Sequence, residues 1–465
     1  MLENKKSVQL LVTLADACIH VGHWPKHFKD SVLVIILKPG KPIYSTPKSF
    51  RPIVLLNTVG KLIEKMISNC LQFDMIKYDL VHPNQVSGVR QRSTEDAGLF
   101  LTHLVRTGWA KRKKTSVLAF DIAQFFSSLN HAMLLAILCK QGFSSFMGRF
   151  FASYLVDQFT SYLWGSFWSG PRQADVGVGQ GLALSPILLA LYIAPVMKLY
   201  HMQAVALKMS LLSYVDDRTV MAQSKSFNEN RETLKDAYAV LLHLFVAIGL
   251  VLEHSKTKYF IFDHSHSDYS PPIDLGYAPY TGENLLKPNL YWRYLGFYFD
   301  RKLLFHEHVR YYSTKALSLV KAMKMLGSST RGLPPREKCL LYRSCVLPIA
   351  TYGYQLWYYE GAQCKKALLL LKSMQCKASL WITGAFSTSS TGGTESLARL
   401  IPIHLHLQKM TGCANFRAAT LSDTHPLRSI LGQDHHKGAQ PHTCAISQMS
   451  EAFKQKVKGT VMEID

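Results

Sequence analysis

The segment Leu211-Leu212-Ser213-Tyr214-Val215-Asp216-Asp217-Arg218-Thr219-Val220-Met221-Ala222 decides the fold of this chain. Two β-rich runs flank an Asp-Asp pair, so the simplest structure is a tight hairpin with both carboxylates at its tip. Adjacent carboxylates repel, and something positive must compensate. A hard divalent cation does so with oxygen ligands while keeping waters and substrate phosphates, so two or three aspartates suffice. Another carboxylate, Asp121, closes the apolar strand Val117–Phe120 earlier in the chain. If the two strand ends are neighbours, three carboxylates converge. Taken singly, an Asp-Asp turn is ordinary solvated turn chemistry and Asp121 an ordinary cap. The segments around them decide between these readings.

Working outward, Asn130 is a plausible N-cap for a short helix whose apolar face is Met133, Leu134, Ile137 and Leu138, ending near Gly142. Ser185 and Pro186 fit N-cap and N1 of a further helix. Leu234, Tyr238, Leu241, Leu242 and Phe245 recur at helical spacing before a Gly249 stop. Between Val309 and Leu326, Val309, Tyr312, Ala316, Val320 and Met323 define one helical face, with Arg310, Lys321 and Lys324 outside it. The last hundred residues mix helical segments with a Ser/Thr/Gly loop, Ser387 to Thr394, and a polar tail.

The chain has 465 residues, 48% hydrophobic and 18% charged, which excludes a disordered or collagen-like polymer. Lys and Arg number 53 against 31 Asp and Glu, a net charge of +22 that points to a polyanion, nucleic acid before an anionic membrane. The most apolar long stretch, Leu182–Met197, contains two prolines and is shorter than the ~20 residues of a bilayer crossing, so no membrane span is expected. The start, MLENKKSVQLL, has no secretory pattern. Nine scattered cysteines without a C-x-x-C pair read as reduced thiols of an intracellular protein, most of them in the core.

Three segments then fall into order: Phe120-Asp121-Ile122-Ala123-Gln124-Phe125-Phe126, Gly179-Gln180-Gly181-Leu182-Ala183-Leu184-Ser185-Pro186, and Tyr214-Val215-Asp216-Asp217. Their order and spacing resemble the palm motifs of reverse transcriptases. Flanking segments narrow the likeness to the non-long-terminal-repeat retrotransposon type, especially fungal copies. These are Phe50 to Asn57 with Lys61 and Glu64, Arg90 to Ala97, Gly249 to Leu252 with Lys256-Thr257, and Tyr294-Leu295-Gly296. The resemblance covers residues 20 to 360 and is weaker beyond.

The resemblance implies an α/β right-hand polymerase. Residues 1–115 would form a fingers-like region and 116–300 a palm of antiparallel sheet plus helices. Residues 301–360 would form a helical thumb, and 361–465 a mostly helical extension of unknown role. It implies RNA-directed DNA synthesis that extends a DNA primer on an RNA template with deoxynucleoside triphosphates. Asp121, Asp216 and Asp217 would bind two Mg²⁺ ions, with Mn²⁺ as an alternative. Lys256 matches a lysine that protonates departing pyrophosphate, with a solvated helix-end lysine as the rival reading. Arg51 matches an arginine on the incoming triphosphate, where a guanidinium donates bidentately, and Lys38 or Lys41 would assist. Phe126 matches a ring beneath the nucleotide sugar that excludes a 2′-hydroxyl, the bland reading being that Phe125 and Phe126 are both core. Gln180 and Gly181 match the segment touching nucleotide and template, with Gly permitting close backbone approach. Arg90 and Arg92 would contact nucleic acid, as would the basic excess in residues 301 to 345. Lys111 to Lys114 reads as a surface loop or a nuclear import patch. Location in the nucleus follows if the chain acts as the family does.

Several positions depart from the family's pattern. Val86-Ser87 stands where Phe-Gly is usual, Ser127 where Pro is common, Gly179 where Pro often precedes Gln-Gly, and Lys258 where an acidic residue is frequent. The fingers-like segment begins almost at Met1, so no upstream endonuclease is expected, and no ribonuclease H signature follows. Two further functions stay open on sequence alone: a non-catalytic nucleic-acid-binding remnant, and an RNA-directed RNA polymerase, against which Phe126 speaks.

Overall fold

The computed structural model describes residues 5–204, 209–265, 269–327, 331–359, 362, 364–423, 425–431, 445–447 and 449–451. Its centre is a four-stranded antiparallel sheet. The strands are β3 (Lys114–Asp121), β7 (Met209–Tyr214), β8 (Asp217–Ser224) and β9 (Lys258–Phe262), in the order β7-β8-β3-β9. A second sheet joins β1 (Asp30–Leu37), β2 (Phe50–Leu56), β4 (Phe159–Trp164), β5 (Phe167–Trp168) and β6 (Arg172–Gln173); β1 pairs antiparallel with β2 and parallel with β4. A hairpin of β10 (Tyr291–Tyr294) and β11 (Phe297–Asp300) completes the strands among the described residues.

Both faces of the central sheet are buried, which explains its near-continuous apolar strands. Alternate residues Leu118, Phe120, Val220, Ala222, Tyr259 and Ile261 join one core with helices α1 (Lys5–Val21), α2 (Thr58–Lys77), α4 (His131–Lys140), α5 (Ser145–Leu155), α6 (Ser185–Ala204) and α7 (Phe227–Ala247). Their neighbours Val117, Met221, Phe260 and Phe262 join the other core, with α3 (Thr94–Ala110), α8 (His306–Met323), β10 and β11. The helices Lys365–Thr383 and Ile403–Ala419 also pack there through Leu371, Met374, Ala378 and Leu407. The period-two pattern thus fixes which side chains meet which layer, and a one-residue slip would exchange them.

The expected helices form. Asn130 accepts from the Met133 N–H and starts α4, though Met133 itself is exposed. Residues 234, 238, 241 and 245 are buried along α7, and all five apolar residues expected on α8 face the core. Three expectations need correction, and one apolar helix is longer than expected. Ser185 is the first residue of α6 rather than its cap, because its hydroxyl donates to Gly179 O at 2.7 Å. Helix α6 is 20 residues long, so Ser185–Gln203 has the length and hydropathy of a membrane span, yet 67% of that window is buried inside the fold. The Ser387–Thr394 loop is half helix: Ser390 accepts from Gly393 N–H and begins the helix Thr391–Leu397. Among the described residues only Cys18 of the free cysteines is fully buried, while Cys70, Cys139, Cys345 and Cys413 are exposed on helices turned to solvent. Cys444 and the polar tail lie outside the described residues.

A candidate metal centre at the sheet edge

The hairpin of β7 and β8 turns at Val215 and Asp216, with Tyr214 opposite Asp217. In the same register, Asp217 sits directly opposite Asp121 on β3. Paired residues on one face of an antiparallel sheet have Cβ atoms roughly 5 Å apart, so the pleat alone brings these two carboxylates together. Asp216, in the turn, stands next to them. Its carboxyl and that of Asp217 reach solvent at the tip.

The charges respond as crowding demands. Partial burial, then the charges of Asp216 and Asp121, push Asp217 up to about 6, against the pull of Arg218 and Lys258. Asp216 is raised by burial and by Asp121, opposed by its own backbone N–H, Arg218 and Lys256. Lys256 Nζ lies 2.6 Å from Asp121 Oδ2. Burial pulls the pKa of Lys256 down, but the hydrogen bond and charge of Asp121, with Glu253 and Asp216, more than reverse it. The backbone also closes here: Glu253 N–H donates to Asp121 O at 2.9 Å, and Lys256 follows in the next turn.

Among the described residues no three of His, Cys, Asp and Glu form a closed metal cage. Lys256 takes one oxygen of Asp121. The donor set nevertheless fits a hard divalent ion, because Asp121 Oδ1 is buried without any hydrogen-bond partner and burial, then mutual repulsion, raises the other two carboxylates.

A feature the sequence reading missed lies beneath the turn. Arg218, fully buried, faces the other side of the sheet from Asp217, over the rings of Phe125 and Phe245 at 5.3 and 5.8 Å. Burial lowers its pKa to about 10, against the raising influence of the three aspartates. An arginine within a strand reads as a solvent-facing residue in sequence, so only its neighbours in space reveal it.

The second sheet supplies the basic neighbours. Ile36 pairs with Arg51, which is exposed at the start of β2. Lys38 is held below the usual lysine value by burial and by the charges of Lys256, Arg51 and Lys41, with Asp121 opposing. Of these cations, Lys256 touches Asp121 and Lys38 feels its charge. Lys48 pairs with Glu253 at 3.3 Å, a further tie between the two sheets. Val54 N–H donates to Gln180 O at 2.8 Å and seats the Gly179–Gly181 segment against β2. Gly181 has a φ of 106°, and a Cβ there would press on Ile53 at 3.3 Å. Gly177, just before, is tighter still: its φ is 83° and a Cβ would lie 2.7 Å from Ser127 Cα.

Glu64, buried on α2, anchors this segment. It accepts from Tyr154 OH at 2.5 Å and from Ala183 N–H at 3.0 Å. Burial raises its pKa despite these bonds. Phe125 is buried, whereas Phe126 is half-buried and leaves part of its ring open. Arg90 is exposed, but Arg92 is spent on the fold, donating to the carbonyls of Gln85 and Pro83 at 2.5 and 3.3 Å. Among the basic residues of 301 to 345, Arg301 pairs with Asp263, Arg310 with Glu307, and Lys338 is buried near Trp381. The basic run after α3 is a turn leading into β3, where Lys114 Nζ stands 4.4 Å over Phe227.

Two central strands thus end in paired carboxylates beside a hairpin turn that carries a third, with Lys256 and Lys38 close by. The profile of the family described as reverse transcriptase (RNA-dependent DNA polymerase) matches residues 36–299, and this chain belongs to that family. It is 29% identical over 356 residues to a probable RNA-directed DNA polymerase from transposon BS of Drosophila melanogaster, covering 76% of this chain and 38% of that protein. It is 23% identical over 376 residues to the RNA-directed DNA polymerase from mobile element jockey of Drosophila funebris, covering 81% and 40%. The chain thus spans about two fifths of the length of these curated relatives. They are insect proteins, and carry the retrotransposon class without the narrower fungal likeness expected above. Among solved structures, apo telomerase from Candida tropicalis aligns with a TM-score of 0.43 at 10% identity over 91% of this chain and 69% of its own.

Proposed function

We propose that the chain is an RNA-directed DNA polymerase of retrotransposon type that extends a DNA primer 3′-hydroxyl on an RNA template. The observation that carries this reading is the cross-strand pairing of Asp121 with Asp217, beside Asp216. Divalent ions, Mg²⁺ or Mn²⁺, held by these three residues would supply the Lewis acidity that activates the hydroxyl and steadies the leaving pyrophosphate. Arg51, with Lys38 and Lys41 near it, binds the triphosphate, where a permanently charged fork of donors suits phosphate oxygens. The Gln180–Gly181 backbone borders the nucleotide and template. The open part of the Phe126 ring lies against the sugar and excludes a 2′-hydroxyl. Lys256, already bonded to Asp121, moves a proton to the departing pyrophosphate.

In this reading residues 1–115 act as fingers, 116–300 as palm and 301–360 as thumb, 361–465 is an extension of unknown role, and the enzyme works in the nucleus. The test is primer extension on an RNA template with Mg²⁺, comparing wild type with Asp216→Asn and deoxy- with ribonucleotides. Extension that Asp216→Asn abolishes is expected, and Phe126→Ala should raise ribonucleotide incorporation by about tenfold or more. A folded wild type that binds template without extending the primer would leave a nucleic-acid-binding remnant in its place.

A further inference from the structure

Val215, the residue before the aspartate pair, has a φ of 51°, a left-handed conformation that a β-branched side chain rarely adopts. Such a conformation persists only where neighbours over-determine it. Two side chains do so here from opposite sides. The Val215 N–H donates to Ser87 Oγ at 2.6 Å, and Gln85 Nε2 donates to the same oxygen at 3.3 Å. The Val215 carbonyl accepts from Arg218 Nη1 at 2.6 Å, and that nitrogen also donates to Asp217 O at 3.1 Å. Ser87 is 5% exposed and Arg218 0%, so water does not substitute for either. Arg218 Nε and Nη2 are buried without a partner, a cost that a fold tolerates where the guanidinium is needed at that spot.

We propose that Ser87 and Arg218 are positioning residues that together hold Val215 left-handed, and so set the direction in which Asp216 and Asp217 leave the hairpin towards a divalent ion. This deepens the polymerase reading and rests on it. Both side chains act through one residue, so their effects should not be independent. Arg218 also brings a positive charge beneath the carboxylates. A charge alone would repel a cation, whereas a clamp favours its binding, and the two roles predict opposite signs.

The experiment titrates Mn²⁺ into the full chain, read by electron paramagnetic resonance, for wild type, D216N, S87G, R218Q, R218K and the S87G/R218Q double variant. Circular dichroism and Tm report folding alongside. Wild type should bind and D216N should lose that binding. S87G and R218Q should each weaken Mn²⁺ affinity by about three- to tenfold, and the double variant should depart from the product of the two by about threefold or more. R218K, which keeps a donor and the charge, should recover most of the loss. Unchanged affinity in folded S87G, tighter binding in R218Q, or effects that simply multiply would overturn the clamp. Should R218Q not fold, S87G and R218K decide the question by the same criteria. Wild type without Asp216-dependent binding would overturn the functional reading and this inference together; Asp216-dependent binding that S87G leaves unmoved overturns this inference alone.

Discussion

Lys256 Nζ and Asp121 Oδ2 lie 2.6 Å apart, although 135 residues separate them in the chain. The pair neutralises one carboxylate of the candidate metal centre and competes with any cation for that oxygen. In the proposed reaction the same ammonium would supply the proton taken up by pyrophosphate.

Lys256→Ala should therefore lower the single-turnover rate of primer extension by about a hundredfold, the usual scale for a lost general acid. Mn²⁺ affinity should hold or tighten, because Asp121 Oδ2 is released. Rapid-quench kinetics and a metal titration on the same preparation check this; weaker metal binding with an unchanged rate would make Lys256 an organiser of the site instead.

Asp217 gives the stability a pH dependence of definite sign. Its pKa in the folded chain rises to about 6, above the ordinary 3.8, through burial and the neighbouring aspartates. Below about 3.8 it is neutral in both folded and unfolded chains and costs nothing; as pH climbs to about 6 the folded state binds more protons, so stability falls. Asp217→Asn should raise stability at neutral pH by on the order of 1 kcal/mol, a modest figure because the tip is solvent-screened. The gain should vanish near pH 4, and the Tm difference between variant and wild type across pH 4 to 7 measures it.

Glu64→Ala removes a buried acceptor shared by Tyr154 and the Ala183 N–H, leaving both donors unmet. A loss of about 3 kcal/mol in urea unfolding is expected, against about 1 kcal/mol for Tyr154→Phe. Because Ala183 continues the Gln180–Gly181 segment, Glu64→Ala should also raise KM for deoxynucleotides in folded protein. An unchanged KM would confine Glu64 to stability.

Asp96 is the third residue of α3, where it and the N-cap Ser93 cap each other reciprocally. Arg417 meets it from the helix Ile403–Ala419 at 2.8 Å and also donates to Gln91 O at 2.7 Å. Burial would raise the Asp96 pKa, but hydrogen bonds from His425 and Arg417 and their charges bring it down to about 2. The stability this contributes is present above the ordinary 3.8 and is lost as pH falls towards 2. Arg417→Met should cost roughly 3 kcal/mol, since it strands a buried carboxylate, and should move acid unfolding to higher pH. Acid titrations of the two proteins followed by circular dichroism test this.

Much of the site's framework was legible because it depends on local periodicity. The strand Val117–Phe120 ends in an aspartate, the hairpin carries its pair, and the stripes of α7 and α8 lie on buried faces, so the two elements bearing the carboxylates were fixed by pattern. Their convergence required strand order, which no local pattern contains. Arg218, Glu64 and the Asp96–Arg417 pair stayed hidden for one reason: a charged residue reads as solvated unless its partner is known, and each partner lies in another element or in backbone. Part of the basic surplus was hidden in the same way, since Arg92, Arg301 and Lys338 serve the fold.

The bond from Arg417 to Asp96 spans 321 residues, whereas the family match stops at 299. A ribosome therefore releases the entire matched region before the cation that settles its buried acid exists. Expression fragments trimmed to the matched boundaries would carry that acid uncompensated, and useful truncations of this chain have to end beyond the Ile403–Ala419 helix.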